Sequence, residues 1–319
     1  MDDYRSVFTT SQDGLKLHAR DYGDRASPRL PVVCLAGLTR NAVDFHDLAL
    51  ALSRHRHRPR RVVAIDLRGR GLSDHDPDWR KYEPRIEVAD VMDQLAALGV
   101  AHAVFVGTSR GGLIAMGLAA ARPGLLKGVV LNDIGPVIEA QGLIRIRSYV
   151  GKLPAPRGMD EAVDILRRIS DARFPALSDD DWLALARGSW TDKNGALVPS
   201  YDTSLFRGLA ALDLEAPLPP IWPYFKALAG VPVLAIRGEN SDLLSEATLD
   251  AMAAAHPGLE PLTVPGQGHA PLLRDAATIG RITSFVGHVE DGADARSKPA
   301  SGRDGQGPEP AAADPTAAA

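Results

Sequence analysis

Gly107-Thr108-Ser109-Arg110-Gly111 spells Gly-x-Ser-x-Gly. A serine hydroxyl set between glycines is a candidate nucleophile wherever a base can take its proton. In a chain with 30 glycines the five-residue pattern alone says little. Its flanks say more: the apolar run Ala103 to Val106 leads into it, and a helical pattern leaves from Gly112. A strand-to-helix turn that sharp forces strained dihedrals on the serine, and side chains larger than glycine beside it would clash. The hydroxyl then stands above the sheet edge at a helix N-terminus, where the dipole favours developing negative charge.

The base expected near pH 7 is a neutral histidine. Of nine histidines, His269 stands in Pro265-Gly266-Gln267-Gly268-His269-Ala270-Pro271, after the last strand candidate and after the serine. That position satisfies the chain order serine, acid, histidine. His55, His57 and His75 lie in charged surface stretches, and His18 and His102 lack chemical context. The single cysteine, Cys34, makes no intramolecular disulfide and no zinc or iron–sulfur cluster. No metal and no organic cofactor is expected.

These residues need a frame, and short β-branched runs alternating with helical patterns supply one. Strands are predicted at Val32 to Ala36, Val62 to Asp66, Ala103 to Gly107, Gly128 to Asn132, Val231 to Arg237 and Leu259 to Val264. The first four are continuously apolar, as strands buried on both faces of a parallel sheet should be. Helices are predicted near Ala42 to Arg54, Ile86 to Leu98 and Gly112 to Arg122, and a leading hairpin around a Gln-Asp-Gly turn. The alternation stops after Gly135-Pro136. From there to about Ala216 the pattern is helical with no convincing strand, which reads as a cap over the carboxyl edge of the sheet. The expected organisation is a core of residues 1–135 and 217–290, a helical cap of 136–216 and a disordered tail of 291–319. The basic run Arg54 to Arg61 reads as a solvated surface turn.

Over roughly residues 5 to 290 the chain resembles the α/β-hydrolase superfamily. Beyond the elbow and His269, Asp66-Leu67-Arg68-Gly69-Arg70-Gly71-Leu72-Ser73 is similar to the family's Asp-x-Arg-Gly-x-Gly-x-Ser segment, which is architectural there. The resemblance implies the α/β-hydrolase fold, with a mostly parallel central sheet, helices on both faces and an all-helical cap inserted after the sixth strand. It also implies that the main-chain N–H groups of Arg110 and Leu38 form the oxyanion hole. Where the family commonly has His-Gly-x, this chain has Ala36-Gly37-Leu38. The family's usual acid position is the loop after Val231 to Arg237, and there Ser241 fills the slot while Asp242 comes one residue late. Some relatives instead place the acid after the strand that follows the elbow helix, where Asp133 stands, 24 residues beyond Ser109. Both carboxylates stay open.

A serine in this position disfavours the dehalogenase and epoxide-hydrolase chemistry of relatives that use aspartate. The expectation is a cytoplasmic serine hydrolase acting through an acyl-enzyme on a small to medium ester or lactone. The alternatives are a C–C bond or amide hydrolase of aromatic or heterocycle breakdown, a haloperoxidase-like side reaction, or a catalytically silent binding protein. Trp182 and Trp190 of the cap would line an apolar pocket, and Arg40 would bind a substrate carboxylate or fix neighbouring loops. With 36 basic against 40 acidic residues, net charge -4, no nucleic-acid or membrane partner is expected. A small-molecule substrate is the one expected partner, and the oligomeric state is left open.

Overall fold

A computed structural model describes residues 3–297. The chain begins with an antiparallel hairpin, β1 (Arg5–Thr10) and β2 (Lys16–Tyr22). Then come β3 (Val32–Leu35), α1 (His46–Ser53), β4 (Val62–Ile65), α2 (Pro84–Ala97), β5 (Ala103–Thr108), α3 (Arg110–Ala121) and β6 (Leu126–Asn132). An insertion follows with α4 (Ala140–Tyr149), α5 (Met159–Ser170), α6 (Asp179–Ser189), β7 (Trp190–Lys193), β8 (Ala196–Pro199) and α7 (Leu205–Ala210). The chain returns through α8 (Trp222–Lys226) to β9 (Val233–Gly238), α9 (Glu246–Ala255), β10 (Leu259–Val264) and α10 (Ala276–Ser297).

The eight-stranded sheet runs β1-β2-β4-β3-β5-β6-β9-β10 and is parallel from β4 onward. Alternate side chains of one strand feed two different cores: Val33, Leu35, Val63, Ile65 and Phe105 on one face, Val32, Cys34, Val62, Ala64 and Val104 on the other. Burial on both faces is why these strands read as unbroken apolar runs. Because β4 lies to one side of β3 and β5 to the other, the strand order reverses at β3. The carboxyl ends of β3 and β5 therefore open into one crevice, the place where α/β sheets bind ligands.

The α/β-hydrolase fold expected from the motifs is the fold observed. The insertion is not wholly helical, however. β7 and β8 pair antiparallel around Asn194-Gly195, both at positive φ (58° and 81°). Asn-Gly is the strongest two-residue hairpin signal, and strands of only four residues, exposed or half-buried except at Trp190, gave too short a hydrophobic pattern to reveal it. The segment also serves two cores. Trp182, Ile165, Phe174 and Trp190 form a small cluster of their own, while Ile146, Tyr201 and Leu205 join the main one. At the other end, residues 291–297 continue α10 instead of starting a disordered tail, for Asp-Gly-Ala-Asp-Ala-Arg-Ser extends a helix already packed through Phe285, Val286 and Val289. Residues 298–319 of that expected tail lie outside the described residues. Arg60 and Arg61 of the basic run are buried, bonded to the Leu30 and Leu98 carbonyls and paired with Glu290 and Asp21. Among the described residues no helix is long and apolar enough to cross a membrane.

Candidate active site

Ser109 sits where β5 turns into α3, at φ 50° and ψ -112°. A β-carbon on Gly111 would lie 2.0 Å from the Leu35 carbonyl oxygen, and one on Gly107 2.6 Å from the Gly111 backbone. The glycines of the motif are thus demanded by the approach of α3 to β3 and by the turn itself. The Ser109 amide donates to the Asn132 carbonyl (2.9 Å), tying the elbow to the end of β6.

One residue on, Asp133 is fully buried and at φ 58°, a conformation aspartate tolerates better than most residues. Its Oδ2 accepts from the Ser241 hydroxyl (2.6 Å) and lies 2.7 Å from His269 Nδ1, while its Oδ1 accepts from the Gly238 amide (2.8 Å). The other imidazole nitrogen, Nε2, lies 3.0 Å from Ser109 Oγ. Serine, histidine and aspartate form one continuous hydrogen-bond chain across the carboxyl ends of β5 and β6.

Asp242 does not reach His269 with a hydrogen bond. Its carboxylate is gripped by Arg145 of α4 (2.7 and 2.9 Å) and approached by Arg173 (3.4 Å). Burial opposes its charge, but these arginines outweigh burial and hold its carboxyl below the ordinary range. The neighbouring Ser241 points the other way and spends its hydroxyl on Asp133. Asn132 was absent from the sequence reasoning, yet its amide donates to Thr108 Oγ1 (3.1 Å) and to the Pro271 carbonyl (2.9 Å), bracing the elbow and the histidine loop together. A buried polar residue ending an apolar strand was the available signal.

The loop after β3 lies against the serine: a β-carbon on Gly37 would sit 3.9 Å from Ser109 Cβ. Gly37 to Arg40 form a turn closed by the Arg40 amide on the Gly37 carbonyl (3.2 Å). Among the described residues neither the Leu38 nor the Arg110 main-chain N–H has an acceptor. Arg40 itself is fully engaged. Its Nε and Nη2 hold Asp44 (2.7 and 2.5 Å), its Nη1 holds Ser189 Oγ (2.5 Å), and both Nη atoms reach the Leu185 carbonyl (3.4 Å). All five of its donors are thus spent within the protein, tying the loop after β3 to α6 at the edge of the cavity.

Above the serine lies a cavity of about 400 Å³. Trp182 and Trp190 line it as expected, together with Leu38, Phe174 and Leu185. Trp182 is edge-on to Phe174, ring centroids 6.4 Å apart, so it is held by the insertion's own core. Arg274 closes one side, paired with Asp47 of the core and with Asp180 and Asp181 of α6. Among the described residues no group of histidine, cysteine, aspartate and glutamate is arranged to hold a metal.

Residues 32–281 match the model of the Alpha/beta hydrolase family. A 3-hydroxybutyrate-oligomer hydrolase from Cupriavidus necator is 34% identical over 272 residues, covering 83% of this chain and 90% of the relative. A 2-(acetamidomethylene)succinate hydrolase from Mesorhizobium japonicum is 29% identical over 251 residues, covering 78% and 85%. The crystal structure of an alpha/beta hydrolase from Novosphingobium aromaticivorans superposes with a TM-score of 0.80 at 39% identity, covering 90% of this chain and 99% of that one.

Proposed function

Because this chain belongs to the alpha/beta hydrolase family, we propose that it is a cofactor-free serine hydrolase cleaving short aliphatic esters of the oligo-hydroxyacid type through an acyl-enzyme. The observation that carries this reading is the unbroken chain Ser109 Oγ, His269 and Asp133, with Ser109 and His269 lining the cavity. The substrate class is taken from the relative that acts on 3-hydroxybutyrate oligomers. Leu38, Leu185, Leu272 and the two tryptophans suit its short, branched acyl units, in a cavity that Arg20, Arg40, Arg145, Arg187 and Arg274 also line.

The roles follow from the geometry. Asp133 holds His269 with Nδ1–H donating to its carboxylate, so that Nε2 presents a lone pair to Ser109. Ser109 Oγ attacks the ester carbonyl as its proton passes to Nε2. The carbonyl oxygen becomes an oxyanion held by the Leu38 and Arg110 amides, which have no other acceptor to desert. Collapse expels the alkoxide, which takes the proton back from Nε2. Water then enters, loses its proton to His269 and attacks the acyl-enzyme, and a second collapse releases the acid and restores Ser109. The cap, residues 136–216, encloses the acyl group and supplies Trp182 and Trp190.

Fluorophosphonate labelling followed by intact mass tests the nucleophile: one adduct is expected on the wild type and none on Ser109→Ala. Product analysis with a 3-hydroxybutyrate trimer beside 2-(acetamidomethylene)succinate tests the substrate class. Turnover of the succinate alone would transfer the reading to amide hydrolysis.

A further inference from the structure

The side chains of two arginines and a glutamate behind the elbow take no part in the scheme above, yet they touch both halves of the oxyanion hole. Glu87 of α2 is fully buried. One of its oxygens accepts from Arg70 Nη1 (2.6 Å) and the other from Arg110 Nε (2.7 Å). Arg70, also fully buried, donates through Nε to the Leu38 carbonyl (2.8 Å) and through Nη1 to the Arg68 carbonyl (2.6 Å). Arg110 completes its fork on the Tyr82 carbonyl (2.9 Å). One carboxylate thus joins the side chain of residue 110 to the guanidinium that grips the main chain of Leu38.

We propose that Arg70 and Glu87 are positioning residues that fix the aim of the two oxyanion amides. The inference rests on the serine-hydrolase reading of the site. The physical need is plain. The loop carrying Leu38 lacks the histidine common in the family, and its turn is closed by one long hydrogen bond of 3.2 Å. That bond holds the Gly37 carbonyl, which shares its peptide plane with the Leu38 N–H, and the Nε bond of Arg70 holds the following plane through the Leu38 carbonyl, so the chain is fixed on both sides of the Leu38 Cα. Buried ion pairs contribute little net stability compared with well-packed apolar groups. What a charged triad offers instead is direction, through short bonds to fixed acceptors. Position 70 is a variable site of the Asp-x-Arg-Gly-x-Gly-x-Ser segment, so the clamp belongs to this chain's own residues rather than to that architectural signature.

Arg70→Lys separates aim from fold. A lysine reaches Glu87 and the Arg68 carbonyl and keeps the buried pair, but its single nitrogen takes the place of Nη1 and leaves no donor where Nε holds the Leu38 carbonyl. Losing a whole oxyanion donor costs about 10²–10³ in kcat, so losing its aim is expected to lower kcat about 10- to 100-fold with KM within twofold. A trifluoromethyl ketone shaped like the acyl group adds Ser109 and places its own oxyanion in the hole. Its inhibition constant should rise by the same factor, whereas a methyl ketone that stays planar should bind unchanged. If Arg70→Lys does not fold, Glu87→Gln carries the same test, because at nearly constant volume it removes the charge and turns an NH₂ donor against one of the two guanidinium groups. A folded variant with kcat within threefold of wild type overturns the inference, as does a kcat loss that leaves trifluoromethyl ketone affinity intact. A wild type that neither hydrolyses esters nor binds that ketone overturns the serine-hydrolase reading itself, and the clamp with it.

Discussion

Replacing Asp133 by asparagine exchanges one oxygen for an NH₂ group and, in this site, should remove most of the activity. The Gly238 amide donates to Oδ1 at 2.8 Å, so the new amide oxygen must stay there. The NH₂ group then faces His269 Nδ1 across the former 2.7 Å bond, and two donors cannot share it. His269 answers by placing its proton on Nε2, which points at Ser109 and leaves no lone pair to accept from it. Flipping the amide restores the tautomer but sets NH₂ against the Gly238 N–H. That orphaned buried donor costs about 1–3 kcal/mol. Either way the imidazolium loses its charge-assisted partner, about 1.5–3 kcal/mol more. Together these make about 3–6 kcal/mol, or about 10²–10⁴ in kcat at 1.36 kcal/mol per decade. The fold should survive, because asparagine shares aspartate's tolerance of the positive φ at this position. The assay is steady-state ester hydrolysis with a fluorophosphonate labelling rate beside it, on Asp133→Asn and Asp242→Asn. Asp242→Asn should stay within about tenfold of wild type, since its carboxylate serves Arg145. An Asp133→Asn enzyme within tenfold of wild type, or an equal loss in Asp242→Asn, would refute the reasoning.

Three further outcomes are expected. Arg40→Met should slow neutral and carboxylated esters alike and lower stability by about 1–3 kcal/mol, because it unpairs Asp44 and unties the Leu38 loop from α6; a KM rise confined to carboxylated esters would restore a substrate-binding role. The Asp242 carboxyl lies below its ordinary value in the folded protein, so its stabilising effect is present above about pH 4 and lost as pH falls through the lowered folded value. Thermal melts of wild type and Asp242→Asn should therefore differ at pH 7 and converge in acid, and a gap independent of pH would contradict this. Cys34 is fully enclosed, and burial pushes its thiol far above the ordinary range; iodoacetamide should add nothing to the native protein by intact mass and one adduct in denaturant.

Sequence alone pointed to Ser109 as the candidate nucleophile, since a Gly-x-Ser-x-Gly turn is local. Strand, turn and helix follow one another within a dozen residues, and steric demand at the turn appears directly as Gly107 and Gly111. His269 was legible for a related reason: a glycine-flanked loop after the last strand can only emerge at the sheet's carboxyl edge. The alternation of β-branched runs with helices was enough for the sheet, because burial on both faces leaves a mark on every residue of a strand. The Asn194-Gly195 hairpin is equally local, but its four-residue strands are too short and too exposed to show a periodic pattern.

Which carboxylate faces His269 was a matter of another kind. β6 and β9 are neighbours in the sheet, so the ends of both deliver an aspartate to the same edge, and spacing along the chain does not rank them. The ranking came from partners: Ser241 and Gly238 turn Asp133 toward His269, while Arg145, 97 residues before Asp242 in the chain, draws that carboxylate away. Arg40 followed the same rule, finding its acceptors in α6 about 145 residues downstream. The Arg70 link to Leu38 spans 32 residues and left no pattern at all. Backbone strain and burial are properties of consecutive residues and can be read from them. A hydrogen bond between distant side chains is decided by where the whole chain brings them.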